Sequence, residues 1–345
     1  MGAAEAAERL LARYRPAVEA EMRRVLEDRP LPLYAMLRYH LGWTDTAGTP
    51  MPNTRTGKGI RPSLCLLACA AVGGVPERAL PAAAAIELLH NFTLVHDDVE
   101  DDGPQRWNRA TVWSVWGKPQ AVNAGDALHV VSILTLHSLE RHGHTPAVVL
   151  RAARTLHETC LHLCEGQYLD MDFEGRTDVT EADYLAMIGG KSAALIATSL
   201  ELGALLGGAP EPTVAAVREA GYLLGLAFQI QDDVLGIWGD EGRVGKTAND
   251  VAQRKKSLPV VYGFQYAGND DRELLARVYQ AYSVTPEDVD RVVAALERSG
   301  TKERSQKLAA GFYDEGMAAL QNSGLNEAQL GDLVSVADFL IHRDY

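Results

Sequence analysis

The stretch that decides the fold runs from Glu87 to Asp102 and has the sequence ELLHNFTLVHDDVEDD. Apolar residues lead into it, and five of its last six residues are acidic. Asp97 and Asp101 are four residues apart, so a helix places both on one face, where their like charges repel. A bound divalent cation would offset this repulsion, and oxygen ligands suit Mg2+ completed by substrate phosphates. A solvated helix end is the alternative for this cluster taken alone.

A second apolar helix is predicted to end in the same way. The stretch from Phe228 to Asp240, FQIQDDVLGIWGD, carries the pair Asp232 and Asp233. Two such helices facing each other across a bundle are expected to hold magnesium ions that grip a diphosphate. Several cations near predicted helix ends fit the same site, although each alone is more often a solvated surface charge. They are Lys58, Arg61, Arg106, Arg109, Lys191, Lys246 and Lys255.

Helical periodicity predominates along the whole chain, and the alternation typical of strands is almost absent. The connectors are short and contain Gly, Pro, Asn or Asp, and no linker is long enough to separate two domains. The sequence therefore predicts one all-α domain over residues 1–345, a bundle around a core. Helices are predicted over residues 3–27, 31–41, 62–72, 80–101, 119–141, 146–175, 180–206, 211–238, 257–267, 270–281, 285–299, 301–322 and 326–342.

The composition narrows the functional classes. The chain has 345 residues, 33 basic and 46 acidic, and a net charge of −13. An acidic chain without a basic run is a poor candidate for nucleic-acid binding. The longest apolar stretch, residues 193–210, is broken by Glu201 and the Gly207-Gly208 pair, and the N-terminus lacks the apolar core of a signal peptide. No stable membrane insertion and a cytoplasmic location are therefore expected. The four cysteines form two i, i+4 pairs predicted to be buried thiols, Cys65/Cys69 and Cys160/Cys164.

Nine sequence blocks, in order and spacing, resemble the trans-polyprenyl diphosphate synthases, most closely the bacterial geranylgeranyl diphosphate synthases. The resemblance covers residues 57–345 and leaves residues 1–56 as N-terminal helices and a loop. It implies the isoprenoid-synthase fold, a single large helical bundle around a central apolar cavity. The blocks are Gly57–Pro62, Glu87–His90, His96–Asp101, Asn123–Ala127, Gly166–Gln167, Gly190–Ser192, Phe228–Asp233, Gly245–Thr247 and Lys255–Pro259.

The resemblance also implies a reaction. An allylic diphosphate, held through Mg2+ (three ions) between the two aspartate motifs, ionises at its carbon–oxygen bond. The double bond of isopentenyl diphosphate attacks the allylic cation, and a proton is then lost, with the released pyrophosphate as a plausible base. A short-chain product, geranylgeranyl diphosphate, and a homodimer are expected from the family.

Roles are carried over by motif position. The resemblance assigns Asp97, Asp101 and Asp232 as magnesium ligands, with Asp98 and Asp233 in support. It assigns Arg106, Lys191, Lys246 and Lys255 to the allylic diphosphate, and Lys58, Arg61 and His90 to isopentenyl diphosphate. Gln167, Ser192 and Gln229 resemble family positions near the allylic chain and its reacting end. Asp97, Asp98, Asp101, Asp232, Asp233, Lys191 and Gln229 form the expected catalytic group.

Two positions depart from the family pattern. Gly236 stands where the family often has a third aspartate, and Asp240 lies just beyond it. Trp107 stands where the family usually has a second arginine that binds isopentenyl diphosphate. Loss of that contact is expected to cost roughly 1.5–3 kcal/mol. Either Arg109 compensates for it, or the chain is a terpene cyclase on the same scaffold.

A third alternative, a non-catalytic subunit of a heteromeric synthase, is disfavoured because both aspartate pairs are present. Product length is predicted to depend on Phe92, five residues before Asp97 and on nearly the same helix face. Its ring is expected to form the floor of the cavity that receives the prenyl tail. An ordinary core phenylalanine is the alternative.

Overall fold

A computed structural model describes residues 3–51, 57, 59–239 and 249–341 of the chain. Helices form nearly all of its regular structure, so the predicted all-α class is confirmed. The α-helices are α1 Ala3–Leu26, α2 Pro32–His40, α3 Ile60–Ala71, α4 Pro76–Glu100, α5 Val112–Trp116, α6 Lys118–His137, α7 Pro146–Phe173, α8 Glu181–Ile188, α9 Ala194–Leu206, α10 Glu211–Trp238, α11 Asn249–Ala252, α12 Leu258–Tyr266, α13 Asn269–Gln280, α14 Pro286–Arg298, α15 Thr301–Gln321 and α16 Glu327–Ile341.

Several short features were not predicted. A hairpin of two two-residue strands, β1 Gln105–Arg106 and β2 Arg109–Ala110, follows the first aspartate motif, and α5 comes after it. A 3-10 turn, Ser138–His142, extends α6. The single helix predicted over residues 180–206 is interrupted by a π-helical turn, Gly189–Ala193, which separates α8 from α9.

The chain divides into two compact units. The first contains Met1–Cys160, Thr198–Ala215 and Leu325–Val336, and the second contains Leu161–Ala197, Ala216–Gly324 and Ala337–Tyr345. Each unit is assembled from three separate segments of sequence. The predicted single domain over residues 1–345 stays a prediction.

In the first unit, α4 packs chiefly against α6 and α3. Small side chains make the approach of α4 to α6 close, since Ala82–Ala85 are fully buried and Ser132 Oγ donates to the Ala85 carbonyl at 2.7 Å. A Cβ on Gly125 would lie 2.2 Å from the His96 ring, so a side chain at this point of α6 would displace that ring. The packing therefore fixes the end of α4, where the first aspartates lie.

In the second unit, buried apolar residues fix the C-terminal half of α10. Ile230 belongs to one core cluster with Tyr184 and Leu258, and Ile237 belongs to another with Val251. A Cβ on Gly225 would lie 2.7 Å from the Ala193 Cα, so α10 approaches the π-helical turn closely. Asp232 and Asp233 lie between Ile230 and Ile237, the two positions at which α10 is packed into these clusters.

One apolar stretch, residues 181–206, is long enough to cross a membrane, but 72% of its most apolar window is buried inside the protein. Burial of this extent is what a core helix shows. Cys65, Cys69 and Cys160 are buried as predicted, whereas the prediction is wrong for Cys164, which is exposed on α7.

Candidate active site

The first aspartate motif has one inward carboxylate, that of Asp98, and two more accessible ones, those of Asp97 and Asp101. Asp98 is 5% exposed, Asp97 is half-buried, and Asp101 is exposed at the C-cap of α4. Arg106 Nε donates to Asp98 Oδ1 at 2.8 Å. Burial raises the pKa of Asp98 to about 6, opposed by Arg106 and assisted by the charges of Asp97 and Asp101. Asp98 thus tethers the hairpin to α4, while Asp97 and Asp101 share a more accessible face.

The hairpin turns on Trp107 and Asn108, which both have positive φ, 51° and 59°. The register pairs Gln105–Arg106 with Arg109–Ala110, and a two-residue turn with both φ values positive has the type I′ geometry that suits the twist of a hairpin. A bulky tryptophan is unusual in this conformation.

Trp107 lies beside Gly57, a short distance before α3 in the sequence. Its indole is centred 5.9 Å from the His40 ring and 5.9 Å from the Arg106 guanidinium carbon. A Cβ on Gly57 would lie 3.8 Å from the same indole. The residue that replaces the expected arginine therefore adjoins Gly57.

Arg109 is engaged with the protein backbone. Its Nη1 donates to the Tyr39 carbonyl at 3.0 Å, and its Nη2 donates to the Thr44 carbonyl at 2.9 Å. The guanidinium also lies 4.2 Å from the centre of the Tyr39 ring, whose hydroxyl donates to the Ala110 carbonyl at 2.7 Å. These contacts hold the hairpin on the C-terminal end of α2 and on the segment that follows it. Contact of Arg109 with a diphosphate stays a prediction.

Cationic and neutral nitrogen groups cluster in the first unit. Arg61 Nη1 lies 3.3 Å from His90 Nε2. Because arginine only donates, Nε2 accepts and His90 carries its proton on Nδ1. Burial, then Arg61 and Arg106, lower the pKa of His90 well below its usual value. Burial and Arg106 likewise lower the pKa of His40 to about 3. Both imidazoles are neutral in a positive field, which suits an anionic ligand.

Phe92 is 8% exposed and packed between two histidines. Its ring stacks on His129 with centroids 5.1 Å apart and meets His96 edge-on at 4.9 Å. The floor of a tail cavity and an ordinary core phenylalanine both agree with this burial. The predicted effect on product length stays a prediction.

The second aspartate motif shows the same division. Asp232 is exposed, whereas Asp233 is 8% exposed and accepts hydrogen bonds from Tyr184 Oη at 2.7 Å and from the Leu258 backbone N–H at 2.9 Å. Burial and the charge of Asp250 raise the pKa of Asp233 to about 7, although the hydrogen bonds oppose that shift. Asp233 thus joins α8, α10 and α12, and Asp232 presents its carboxylate outward.

Gln229 links the π-helical turn to Asp233. Ser192 Oγ donates to Gln229 Oε1 at 2.5 Å, and Gln229 Nε2 donates to Asp233 Oδ1 at 3.1 Å. Gln229 and Asp233 are one helical turn apart on α10. Three residues of the predicted catalytic and allylic-chain sets therefore form one hydrogen-bonded chain.

Lys191 projects from the π-helical turn and pairs with Asp170 of α7, with Nζ 2.5 Å from Oδ2. A Cβ on Gly166 would lie 2.2 Å from the Lys191 backbone nitrogen, and one on Gly190 would lie 2.6 Å from a carbonyl of α7. The two glycines therefore allow the turn to lie against α7. Gln167, next to Gly166, is half-buried.

Asp250 lies in the space beside Gly236, where a Cβ would be 2.2 Å from Asp250 Oδ2. Lys255 Nζ is 3.9 Å from Asp250 Oδ1. Burial raises the pKa of Asp250, with Lys255 opposing the shift and the charges of Asp232 and Asp170 adding to it. Asp250 is therefore a third carboxylate in the neighbourhood of the second motif.

Three residues of the sequence prediction, Lys58, Lys246 and Asp240, lie outside the described residues. Sequence reasoning did not select Asp170, Tyr184 or Asp250. Asp170 follows Gly166 by four residues on the same helix face, and Asp250 lies five residues before Lys255, so both had a motif nearby. No sequence pattern marks Tyr184, whose role depends on tertiary packing.

The accessible carboxylates fit Mg2+. Within residues 3–51, 57, 59–239 and 249–341, no group of three or more His, Cys, Asp or Glu side chains is arranged to enclose a metal ion. Mg2+ is usually held by one or two carboxylates, several waters and substrate phosphates rather than by an all-protein cage. Asp97, Asp101 and Asp232 offer hard oxygen donors of this kind, each backed by an inward aspartate.

Comparisons with known proteins agree with this fold. The sequence model of the family described as polyprenyl synthetase matches residues 50–296. Geranylgeranyl diphosphate synthase of Mycobacterium tuberculosis is 39% identical over 336 residues, 97% of this chain and 93% of the relative. The (2E,6E)-farnesyl diphosphate synthase of the same species is 36% identical over 312 residues, 89% of this chain and 85% of the relative.

A solved structure extends the comparison. The polyprenyl synthetase from Streptomyces coelicolor has a TM-score of 0.89 and 36% identity, covering 96% of this chain and 98% of that one. The family match and these relatives, together with the all-α fold, define the class of the protein as a prenyltransferase enzyme. The chain belongs to the polyprenyl synthetase family. The resemblance, the fold and the enzyme class predicted from the motifs are confirmed.

Proposed function

We propose that this protein condenses isopentenyl diphosphate with an allylic diphosphate, head to tail and in trans geometry, to give geranylgeranyl diphosphate. The observation that carries the proposal is that the two aspartate motifs are constructed alike. Each has a buried aspartate beside an accessible one. The name of the Mycobacterium tuberculosis relative, 39% identical over 97% of the chain, supports this product. The 36% identical farnesyl diphosphate synthase makes a shorter product the neighbouring candidate.

Asp97, Asp101 and Asp232 would hold Mg2+, with three ions as the proposed number. When bound, the ions supply electrostatic stabilisation of the charge that develops on the departing diphosphate. Asp98 is held by Arg106, and Asp233 by Tyr184 and Leu258, so these inward carboxylates keep the two helix ends in place.

Four cations are proposed to bind the allylic diphosphate: Arg106, Lys191, Lys246 and Lys255. The carbon–oxygen bond breaks with its electron pair going to the diphosphate. The double bond of isopentenyl diphosphate then forms the new carbon–carbon bond, and the released pyrophosphate accepts the proton that is lost. The side chains that are expected to bind the diphosphate are already oriented before substrate binds, because each lies near an aspartate. They are Arg106, Lys191 and Lys255.

Lys58, Arg61 and His90 are proposed to bind isopentenyl diphosphate. Arg61 holds the His90 imidazole through Nε2, which leaves the Nδ1–H as a donor. Gln167, Ser192 and Gln229 are proposed to line the allylic chain near its reacting end.

The protein is proposed to act as a cytoplasmic homodimer, without a nucleic-acid partner or stable membrane insertion. Helix α6 exposes Val122, Val130 and Leu134, which are 41%, 53% and 47% exposed and recur along one face. An apolar face of this kind suits a subunit contact. Light scattering of wild type and Val130→Glu tests it, with a dimer expected to become a monomer. A monomeric wild type would contradict the proposal.

Substitution of the accessible aspartates tests the catalytic assignment. Asp97→Asn and Asp232→Asn are each expected to lower kcat by at least about 100-fold, because charge stabilisation at the leaving group is lost. Asp290→Asn, at an exposed position on α14, is the matched control and should leave kcat unchanged. Wild-type turnover in either active-site variant would contradict the assignment.

A second candidate, cyclisation of a finished prenyl diphosphate, rests on Trp107. The indole adjoins Gly57 and His40, where the family pattern expects an arginine to meet isopentenyl diphosphate. The product formed from an allylic diphosphate alone separates this candidate from the condensation.

A further inference from the structure

Lys256 is a buried lysine to which the proposed reaction gives no task. Its side chain is 3% exposed, and its ammonium group has no hydrogen-bond partner among the described residues. The ammonium nitrogen lies 4.3 Å from the centre of the Tyr279 ring and 5.3 Å from the centre of the Phe264 ring. We call these two rings the aromatic cage of Lys256.

The surroundings of the cage are apolar. Phe264 and Tyr279 belong to a buried cluster with Val260 and Val292. Burial lowers the pKa of Lys256 to about 8, and the charges of Glu174 and Arg254 act in opposite directions on it. Contact with two aromatic faces partly offsets the loss of water around the ammonium group. The cage thus holds the side chain in one direction.

The direction of the Lys256 side chain constrains the positions of Lys255 and Leu258. Residues 255–257 are outside any helix, between α11 and α12. Lys256 is buried and Lys255 is exposed, so these two neighbouring side chains point to different sides of the segment. While Lys256 points into the cage, Lys255 is 52% exposed, with its ammonium nitrogen 3.9 Å from Asp250 Oδ1. Two residues after Lys256, the Leu258 N–H donates to Asp233 at 2.9 Å.

The segment is also constrained at its beginning. Arg254 has a positive φ of 57°, which is uncommon for a residue with a side chain. Its Nη1 donates to the Ala281 carbonyl, which immediately follows α13, the helix that carries Tyr279. The Lys255 N–H donates to the Asp250 carbonyl at 2.9 Å. The caged side chain lies between this turn and the start of α12.

We propose that Lys256 is a positioning residue whose caged side chain aims Lys255 at the diphosphate and holds the Leu258 N–H on Asp233. The inference rests on the proposed function, because Lys255 and Asp233 act in it. Lys256 itself touches no substrate.

A double-mutant cycle on pyrophosphate binding tests the proposal without turnover. Calorimetry would measure the Kd of inorganic pyrophosphate in the presence of Mg2+ for wild type, Lys255→Ala, Lys256→Ser and the double variant. Each single change is expected to raise Kd about tenfold, the loss of one hydrogen bond to a charged group. The double variant should match Lys255→Ala, because Lys256 acts through its neighbour. Wild-type affinity in Lys256→Ser, or effects that multiply, would overturn the proposal.

Two controls separate positioning from loss of stability. Val292→Ala removes buried volume from the same cluster, so it should lower Tm and leave Kd unchanged. Lys256→Met refills the cage with an apolar chain of similar length and should restore Kd to within about twofold of wild type. A weakened Kd in Val292→Ala would show a merely structural effect and overturn the proposal.

Should Lys256→Ser fail to fold, the cage is tested from its other side. Tyr279→Phe keeps the aromatic face and should bind pyrophosphate like wild type, whereas Tyr279→Leu removes the face and should bind about tenfold more weakly. Equal binding by the two variants would contradict the cage. A further outcome is that wild type binds pyrophosphate and the double-mutant cycle gives the expected result while no prenyl transfer occurs. In that case the proposed function fails, and the positioning role of Lys256 stands.

Discussion

The carboxylate of Asp250 lies where a side chain at Gly236 would begin, with Oδ2 2.2 Å from the position of a Cβ on Gly236. Gly236 is the position at which the family pattern often has a third aspartate. In this chain, the carboxylate beside that position comes from α11 instead. Gly236 and Asp250 are therefore structurally coupled, because a side chain at residue 236 would occupy the space of the Asp250 carboxylate.

Gly236→Ala is expected to displace Asp250 and to reduce kcat/KM for the allylic diphosphate by about tenfold or more, because a Cβ 2.2 Å from Asp250 Oδ2 is far closer than Cβ contacts in proteins. Steady-state kinetics at saturating Mg2+ measure the effect. Gly311→Ala on α15 is the matched control, since a Cβ there meets nothing within 4 Å. It should raise the free energy of unfolding by about 0.5–1 kcal/mol and leave kinetics unchanged. Unchanged kinetics in Gly236→Ala would contradict the pairing.

Trp107→Arg restores the arginine of the family pattern beside Gly57. The KM for isopentenyl diphosphate should fall about tenfold, through one added hydrogen bond to a charged group, while the KM for the allylic substrate stays constant. Trp107→Phe is the control, since it keeps an aromatic ring and adds no cation. An unchanged or higher KM in Trp107→Arg would show that the indole itself belongs to the acceptor site.

Phe92→Ala is expected to lengthen the product by one or more five-carbon units, because it removes the ring that stacks on His129. Mass spectrometry of the dephosphorylated products measures chain length. Leu94→Ala, two residues on and on a different face of α4, is the control and should leave the product unchanged. A wild-type product from Phe92→Ala would remove Phe92 as the floor of the cavity.

The pKa of Asp233, raised to about 7, predicts how stability depends on pH. A folded-state pKa above the unfolded value means that the folded protein binds the extra proton between about pH 4 and 7. The contribution of Asp233 to stability is therefore full below that range and is lost as pH rises through it. Urea unfolding in Mg2+-free buffer with chelator should show this decline in wild type and a shallower one in Asp233→Asn. Parallel pH profiles would contradict the assignment.

Most helices could be predicted because their apolar periodicity is local and strong, as in α10, where the predicted and observed bounds agree. The aspartate pairs could be predicted because they follow apolar runs directly. The hairpin at Trp107 could not, since its strands have two residues each and Trp-Asn is not a turn signature. The π-helical turn depends on the close approach of Gly166 of α7 to Gly190 of the turn itself. The pairing of Lys191 with Asp170 likewise depends on the approach of two elements, whereas Asp250, the partner of Lys255, lies only five residues before it.

The most direct test of the account is a product assay with purified protein and Mg2+. One reaction contains farnesyl diphosphate with isopentenyl diphosphate, and the other contains geranylgeranyl diphosphate alone. Products are identified by mass spectrometry before and after phosphatase treatment. The account predicts geranylgeranyl diphosphate in the first reaction and no hydrocarbon or alcohol in the second before phosphatase. Absence of elongation in the first, with hydrocarbon or alcohol in the second, would contradict it and identify a cyclase.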